Sequence, residues 1–291
     1  MIVKENKEFS KRCKEMAEEM KFNLYDIALY DNGEVMRYEH QKANTCNNGY
    51  SVSKMFTMAA IGLLCDEGKI SLDDKIMDYL REYINYDYDK KWDEVTIKQA
   101  LAHKTGVAAD YLNIYSDDTS AINTEDYLSI VMRLKIEYEP GTYYNYTDDI
   151  YYMLSRVVSN VTGKSMLDYL KPKLFNPLKF FEVAWSACPY GYQLGGDCLY
   201  CSTQDMLKLG IIFLNGGVFE GIRYLSEEFV NTAIENDLGM LHCEAKSHGK
   251  TGSRGQIVAF CKETGKALAM HAYETECYDF RGAAIREFLE K

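Results

Sequence analysis

Between positions 54 and 66 the chain carries Met55, Phe56, Met58, Ala59, Ala60, Ile61, Leu63 and Leu64, apolar residues that fall on nearly every face of a helix. A helix with no polar face has to be surrounded by protein, so other elements must wrap around this one. Gly68 ends it. With 291 residues, 47% of them hydrophobic and 26% charged, the chain has the material to do so. At this size about three quarters of the unfolded surface is buried, and no staples are needed. The length sets one large domain or two intertwined ones.

Ahead of that helix, residues 5–20 alternate charge with Phe9, Cys13, Met16 and Met20, the spacing of an amphipathic helix. Leu24–Tyr30 and Glu34–Tyr38 are β-prone runs joined by Asp31-Asn-Gly33, a hairpin pattern. Further helices are expected at 72–82, 95–103, 123–135, 148–160, 164–173, 203–215 and 226–236. The character changes near residue 245. A second hairpin spans Gln256–Lys262 and Ala267–Tyr273, and a closing helix runs over 279–290. Strands near both ends and helices between them predict an α+β fold. Residues 1–50 and 240–291 would form a discontinuous sheet region, and 51–239 a mainly helical region, with the functional site where they meet. No internal repeat, low-complexity tract or long linker interrupts the chain.

Lys plus Arg total 33 against 44 for Asp plus Glu, a formal charge of −11. Without a basic block to displace counterions, nucleic acid is not an expected partner. No stretch approaches the ~18 apolar residues of a membrane span, and Met1–Lys7 has no apolar secretory core. The expectation is therefore a cytoplasmic protein with no membrane partner, and nothing specifies an oligomeric state. The nine cysteines are an odd number scattered along the chain, which fits reduced, buried thiols better than a disulfide framework.

Three segments carry chemistry. Ser51-Val-Ser-Lys54 at a helix start sets a hydroxyl and an ammonium on one face, one turn apart. There the lysine can stabilise or accept the serine proton, and the helix N-terminus favours developing negative charge. The pattern recurs at Ser247-His-Gly-Lys250, and on the four residues alone a plain N-cap serine is the favoured reading. Lys250-Thr-Gly252, expected on an edge strand, can offer a cation and a hydroxyl to a substrate carboxylate or carbonyl, its glycine admitting the substrate backbone. Lys104-Thr-Gly106 matches too, but follows a helix and reads as its glycine-capped end. The third segment is Glu139–Asp148. Tyr-x-Asn tripeptides can supply a phenolic base and an amide, but matches begin at Tyr30, Tyr83, Tyr111 and Tyr143 among 24 tyrosines, most of them packing residues.

Taken in order, these segments resemble the serine β-lactamase and penicillin-binding-protein-like hydrolases, in the branch of class C β-lactamases, D-aminopeptidases, D,D-carboxypeptidases and related esterases. The resemblance spans roughly residues 48 to 275. It includes Gly49-Tyr-Ser-Val-Ser-Lys-Met-Phe-Thr57 running on to Gly68–Lys75, Ile97–Gly106 as the leucine-rich segment ending in His-Thr-Ser-Gly, and Cys198-Leu-Tyr-Cys-Ser-Thr-Gln-Asp205. Family spacing from Pro140 selects Tyr146 rather than Tyr143. The motif is then Tyr146-Thr147-Asp148, with Asp where the family usually has Asn. An ionised carboxylate cannot donate a hydrogen bond to a substrate carbonyl, but it can pair with Lys54 and stabilise its charge.

The resemblance implies a β-lactamase/transpeptidase-like fold, an antiparallel sheet flanked by terminal helices with an inserted helical region. It implies that Ser51 is the nucleophile and that Tyr146, its phenol pKa depressed by Lys54 and Lys250, or Lys54 itself, takes the serine proton. The N–H groups of Ser51 and Ser253 would form the oxyanion hole. Lys250, Thr251 and Gly252 would orient the substrate, with Asp148 and Arg254 beside it. No metal or organic cofactor is implied, and the expected partner is a small-molecule ester or amide. Two alternatives stand beside this serine hydrolase: a non-catalytic binding module on the same fold, for which Asp148 speaks, and a true β-lactamase or D,D-carboxypeptidase. Cys198-Leu-Tyr-Cys201 reads as structural thiols, and the five histidines show no metal-ligand spacing.

Overall fold

The computed structural model describes residues 3–112, 120, 122–276 and 278–291. Cys277 and most of the 113–121 stretch of the expected pocket loop 107–122 lie outside the described residues. Seven strands form the main sheet: β1 (Val3–Lys4), β2 (Leu24–Asp31), β3 (Glu34–Glu39), β4 (Leu241–His242), β5 (His248–Gly252), β6 (Gln256–Cys261) and β7 (Lys266–Ala272). Their order across the sheet is β1-β3-β2-β7-β6-β5-β4. All neighbours are antiparallel except β1, which runs parallel to β3 over two residues.

Local chemistry builds these elements. The β2–β3 turn has Asn32 at φ 45 and Gly33 at φ 100, the two left-handed positions a tight hairpin requires. Helix α1 (Lys7–Glu19) starts at Asn6, whose side-chain oxygen accepts from the Phe9 N–H. It lies with the closing helix α5 (Tyr278–Phe288) on one face of the sheet. There Phe9, Met16, Phe280 and Phe288 meet Ile27, Leu29, Ile257 and Met270. Phe22 stacks on Phe280 at 4.0 Å between ring centroids.

Alternate strand residues point the other way. Ala28, Val258, Phe260 and Ala269 join the larger core of the helical region. Helix α4 (Thr203–Leu214) packs there, its Gly210 facing Val258 and Ala267 so closely that a side chain would crowd them. The period of two along each strand thus supplies two cores from one sheet. Helix α2 (Ser53–Asp66) runs through the larger one with every residue from Ser53 to Leu64 buried, as its apolar composition requires. Helix α3 (Asp149–Thr162) packs beside it.

Several expected helices are shorter or broken. Residues 72–82 form two separate 3₁₀ turns, Ile76–Asp78 and Arg81–Tyr83, rather than one helix. Lys75 and Thr96 form an antiparallel bridge instead: Ile76 N–H donates to Val95 O, and Ile97 N–H donates to Asp74 O. Tertiary bonds have displaced the helical ladder. Residues 123–135 reduce to Tyr127–Val131, and 95–103 to Ile97–Leu101. That last helix ends not on Gly106 but on His103, itself left-handed at φ 56. Gly106 serves a close approach, since a Cβ there would lie 2.3 Å from the Tyr138 carbonyl oxygen. Among the described residues, no helix is long and apolar enough to cross a membrane.

Candidate active site

Ser51 occupies a 3₁₀ turn, Tyr50–Val52, just before α2. Three bonds brace this turn. Gly49 N–H donates to Leu199 O (2.8 Å), Leu199 N–H donates to Ser53 Oγ (3.0 Å), and Ser53 Oγ–H donates to Tyr50 O (2.6 Å). Tyr50 adopts φ 48, a left-handed conformation unusual for a non-glycine residue. The Leu199–Cys201 strand, unforeseen from the pattern of the chain, is therefore the brace for the serine turn. Cys198 just before it and Cys201 on it are buried, and burial pushes the Cys201 thiol well above its ordinary value, the reverse of a reactive thiol.

One turn into α2, Lys54 is fully buried. Its ammonium donates to the Asp148 carboxylate, to the Gly196 carbonyl (2.9 Å) and, more distantly, to Ser51 Oγ (3.5 Å). Gly196 has to be a glycine, because a Cβ would lie 2.7 Å from Asp148 Oδ1 and 3.2 Å from Lys54 Nζ. Burial opposes the lysine charge. Asp148, and then Tyr146, more than offset it and hold Lys54 above the ordinary lysine range.

Tyr146 lies between two cations, with Lys54 Nζ and Lys250 Nζ each 4.6 Å from its ring centroid. Its phenol is not depressed as the resemblance implied. Burial pushes it above 10, and the Lys54 charge and hydrogen bonds with Lys54 and Ser51 only partly offset that. Tyr143, the literal Tyr-x-Asn match, instead stacks on Tyr138 at 4.0 Å.

Lys250, Thr251 and Gly252 run along β5. The short β4 pairs only with His248 and Gly249, so the Lys-Thr-Gly portion keeps an open edge, and Lys250 is buried against the site. Burial, then the Lys54 charge, pushes its pKa down to about 7. Gly252 also meets a need within the protein itself. A Cβ there would lie 2.4 Å from Gly49 O and 3.1 Å from Tyr50 Cβ, so the glycine admits the protein's own serine turn. A cavity of about 370 Å³ opens over these groups, with Ser51, Tyr146, Thr251, Ser253 and Arg254 in its wall. A second, of about 350 Å³, shares Tyr146, Thr251, Tyr278 and Arg281 with it and reaches Lys250 and Cys243. Arg254 takes φ 62 and sets its guanidinium 5.4 Å from the Tyr273 ring centroid. His248 instead lies beside Phe260.

His103 belongs to this site although only its place in the leucine-rich segment hinted at it. Its carbonyl accepts from Asn145 N–H (2.9 Å), its Nδ1 accepts from Thr147 N–H (3.3 Å), and its ring lies 4.6 Å from that of Tyr146. The segment carrying the phenol is thus held at three points. Asp110 Oδ1 then accepts from the N–H groups of Asp148 and Asp149 (3.1 and 3.3 Å), fixing the start of α3. Burial, then the charges of Lys250 and Lys54, keep His103 well below its ordinary 6.5. The unfolded chain therefore binds a proton at this residue that the folded chain refuses. Stability is full above pH ~6.5 and falls by about 1.4 kcal/mol per unit as pH drops toward the folded value. Denaturant midpoints measured at pH 5 and 7 should differ less in His103→Asn than in the wild type.

Among the described residues, no group of three or more His, Cys, Asp or Glu side chains is arranged to hold a metal ion.

A mixed sheet backed by terminal helices, with a buried helix starting at Ser-x-x-Lys beside it, is the architecture of β-lactamase/transpeptidase-like proteins. The Beta-lactamase family model matches residues 23–219, and the chain belongs to this family of hydrolases. Among curated proteins, it is 26% identical over 162 residues to protein flp of Staphylococcus aureus (strain NCTC 8325 / PS 47), covering 53% of this chain and 32% of flp. The chain thus spans about a third of that relative. Among solved structures, a D-stereospecific amidohydrolase from Streptomyces sp. superposes with TM-score 0.75 at 16% identity, over 97% of this chain and 99% of that one. A penicillin binding protein from Bacillus halodurans does so with TM-score 0.72 at 18% identity, over 94% and 98%.

Proposed function

We propose that this member of the family is a serine hydrolase that forms an acyl-enzyme on a small ester or amide. The observation that carries the reading is the convergence of Ser51 Oγ, Lys54 Nζ 3.5 Å away, and a Tyr146 ring flanked at 4.6 Å by Lys54 and Lys250, with Ser51 and Tyr146 in the wall of one cavity. Ser51 attacks the carbonyl carbon. The N–H groups of Ser51 and Ser253 receive the oxyanion, each such donor contributing about 3–4 kcal/mol to the transition state. Thr251 and Arg254 face the substrate's polar end. A water later cleaves the acyl ester.

The test is to incubate wild type and Ser51→Ala with a fluorophosphonate, a penicillin and a short-chain nitrophenyl ester, and to read intact masses. Adducts that need Ser51 support the reading. Among them, an ester adduct alone selects an esterase, and a penicillin adduct selects the peptidase or lactamase side. No adduct with any reagent would select a binding module.

Asp148 narrows the substrate. Its carboxylate is engaged by Lys54 and cannot donate to an acyl-amide carbonyl as the usual Asn would. Asp148→Asn should raise the rate of penicillin acylation about tenfold, the worth of one hydrogen bond of ~1.4 kcal/mol. A variant that acylates no faster than wild type would remove Asp148 as the discriminating group.

A further inference from the structure

We infer that the cavity over Ser51 takes a doubly charged anion, Arg254 and Arg281 each matching one of its charges, and that the ester or amide cleaved here therefore carries a phosphate group or a pair of carboxylates. The inference rests on the acyl-enzyme reading above and deepens it by naming the chemical class of the substrate.

The chain as a whole is acidic, with a formal charge of −11. The wall of this cavity is the reverse. It contains two arginines and no aspartate or glutamate. They arrive from different elements, Arg254 from the turn between β5 and β6 and Arg281 from the first turn of α5. Positive charge gathered at a concave site, against the net sign of the protein, raises the local concentration of anions there.

Neither guanidinium is spent on an acid of the protein. Arg281 is only 6% exposed, and an arginine so buried is normally paired. Here one N–H donates to Gly252 O (2.9 Å), and the guanidinium lies 4.7 Å from the Tyr278 ring centroid. A guanidinium has five N–H donors, so most of those on Arg281 have no acceptor among the described residues. The neighbouring acids are engaged elsewhere. Glu244, in the wall of the adjoining cavity, pairs with Arg286 (2.9 Å). Asp148 is held by Lys54. Glu274 donates its N–H to Arg254 O (3.0 Å), yet its carboxylate accepts from the N–H and the hydroxyl of Thr275 (2.7 and 3.3 Å). Arg254 is thus backed by the ring of Tyr273 and has no carboxylate partner among the described residues.

The backbone points the same way. Arg254 sits at φ 62, followed by Gly255 at φ 98. A side chain in the left-handed region is strained where glycine would not be, and this chain keeps an arginine there, in the same wall as Ser51. Each guanidinium lies beside a tyrosine ring, which limits its freedom and presents its planar fork ready to meet a carboxylate or phosphate with two parallel bonds. One carboxylate satisfies one fork and leaves the other charge unmatched. A phosphate dianion or two carboxylates satisfy both. The hydroxyls of Thr251 and Ser253, in the same wall, add donors for the remaining oxygens.

The test titrates inorganic phosphate, succinate and acetate into the wild type and Arg254→Gly by calorimetry at fixed ionic strength. The same anions are then added during fluorophosphonate labelling of Ser51. Glycine suits the backbone at 254, so this variant removes the guanidinium without straining the turn. In the wild type, phosphate or succinate should bind at least about tenfold more tightly than acetate, the scale of one further charged hydrogen-bonded contact, and should slow labelling. The tighter of the two tells a phosphate from paired carboxylates. In Arg254→Gly the dianion should fall to the level of acetate, while acetate, which one fork satisfies, should change by less than about twofold. Acetate binding as tightly as both dianions, a dianion affinity unchanged in Arg254→Gly, or a dianion that binds without slowing labelling would overturn the inference. Wild-type protein that takes no fluorophosphonate at Ser51 would instead overturn the acyl-enzyme reading, and the calorimetric affinities would still decide the charge of the ligand.

Discussion

Replacing Ser51 by alanine is expected to lower ester turnover by about 10⁴-fold or more, the scale on which hydrolases lose activity with their nucleophile. The fold should hardly notice. Ser51 is partly exposed and its hydroxyl is the most distant of the three Lys54 partners, at 3.5 Å, whereas the bonds that brace the turn come from Gly49, Ser53 and Leu199. Stability should therefore stay within about 1 kcal/mol of the wild type. The pair of measurements is turnover and a denaturant melt on the same sample. Turnover that survives in a folded Ser51→Ala protein would mean that another group attacks the substrate.

Gly252→Ala should damage both stability and activity. The added methyl would lie 2.4 Å from Gly49 O and 3.0 Å from Gln256 Cβ, and neither neighbour is the far end of a flexible side chain. Relief requires β5 to move away from the serine turn. Overpacking of this kind costs about 1–3 kcal/mol, or several degrees of melting temperature at ~2–4 °C per kcal/mol. The same movement displaces Thr251 and Lys250 from Ser51, and misplacement of about 1 Å is enough for a 100-fold loss. Fluorophosphonate labelling and a thermal melt check the two effects separately. A variant that labels at the wild-type rate would show that the strand and the turn do not need this proximity.

Much of the architecture could be read from local chemistry. The Asn-Gly turn, the alternating strands at both ends and the all-apolar helix each satisfy their backbone bonds within a short stretch, so pattern and structure agree there. Residues 72–82 depart from the helical pattern because Leu72, Asp74 and Ile76 share backbone hydrogen bonds with residues 95–98, and no periodicity encodes such bonds. The site was legible where spacing carries meaning: Ser51 and Lys54 share one helical turn, and the Pro140 count leads to Tyr146 rather than Tyr143. His103 and Gly196 were not, since neither has a chemical signature of its own. One matters for the atoms it offers to Thr147 and Asn145, the other for a side chain it lacks. The direction of the Tyr146 shift was misread because two nearby lysines suggest acidity, while the burial that outweighs them is visible only once the chain is folded.

The central pairing of the sheet joins β2 to β7, with Asp31 beside Lys266 and Leu24 beside Ala272. Contacts between such remote positions form late and slow folding. During synthesis, the serine turn emerges from the ribosome long before the strand that supplies Lys250 and Thr251. A nascent or prematurely stopped polypeptide that lacks β5 therefore carries Ser51 without Lys250 and Thr251, and the site is assembled only once that strand has been made.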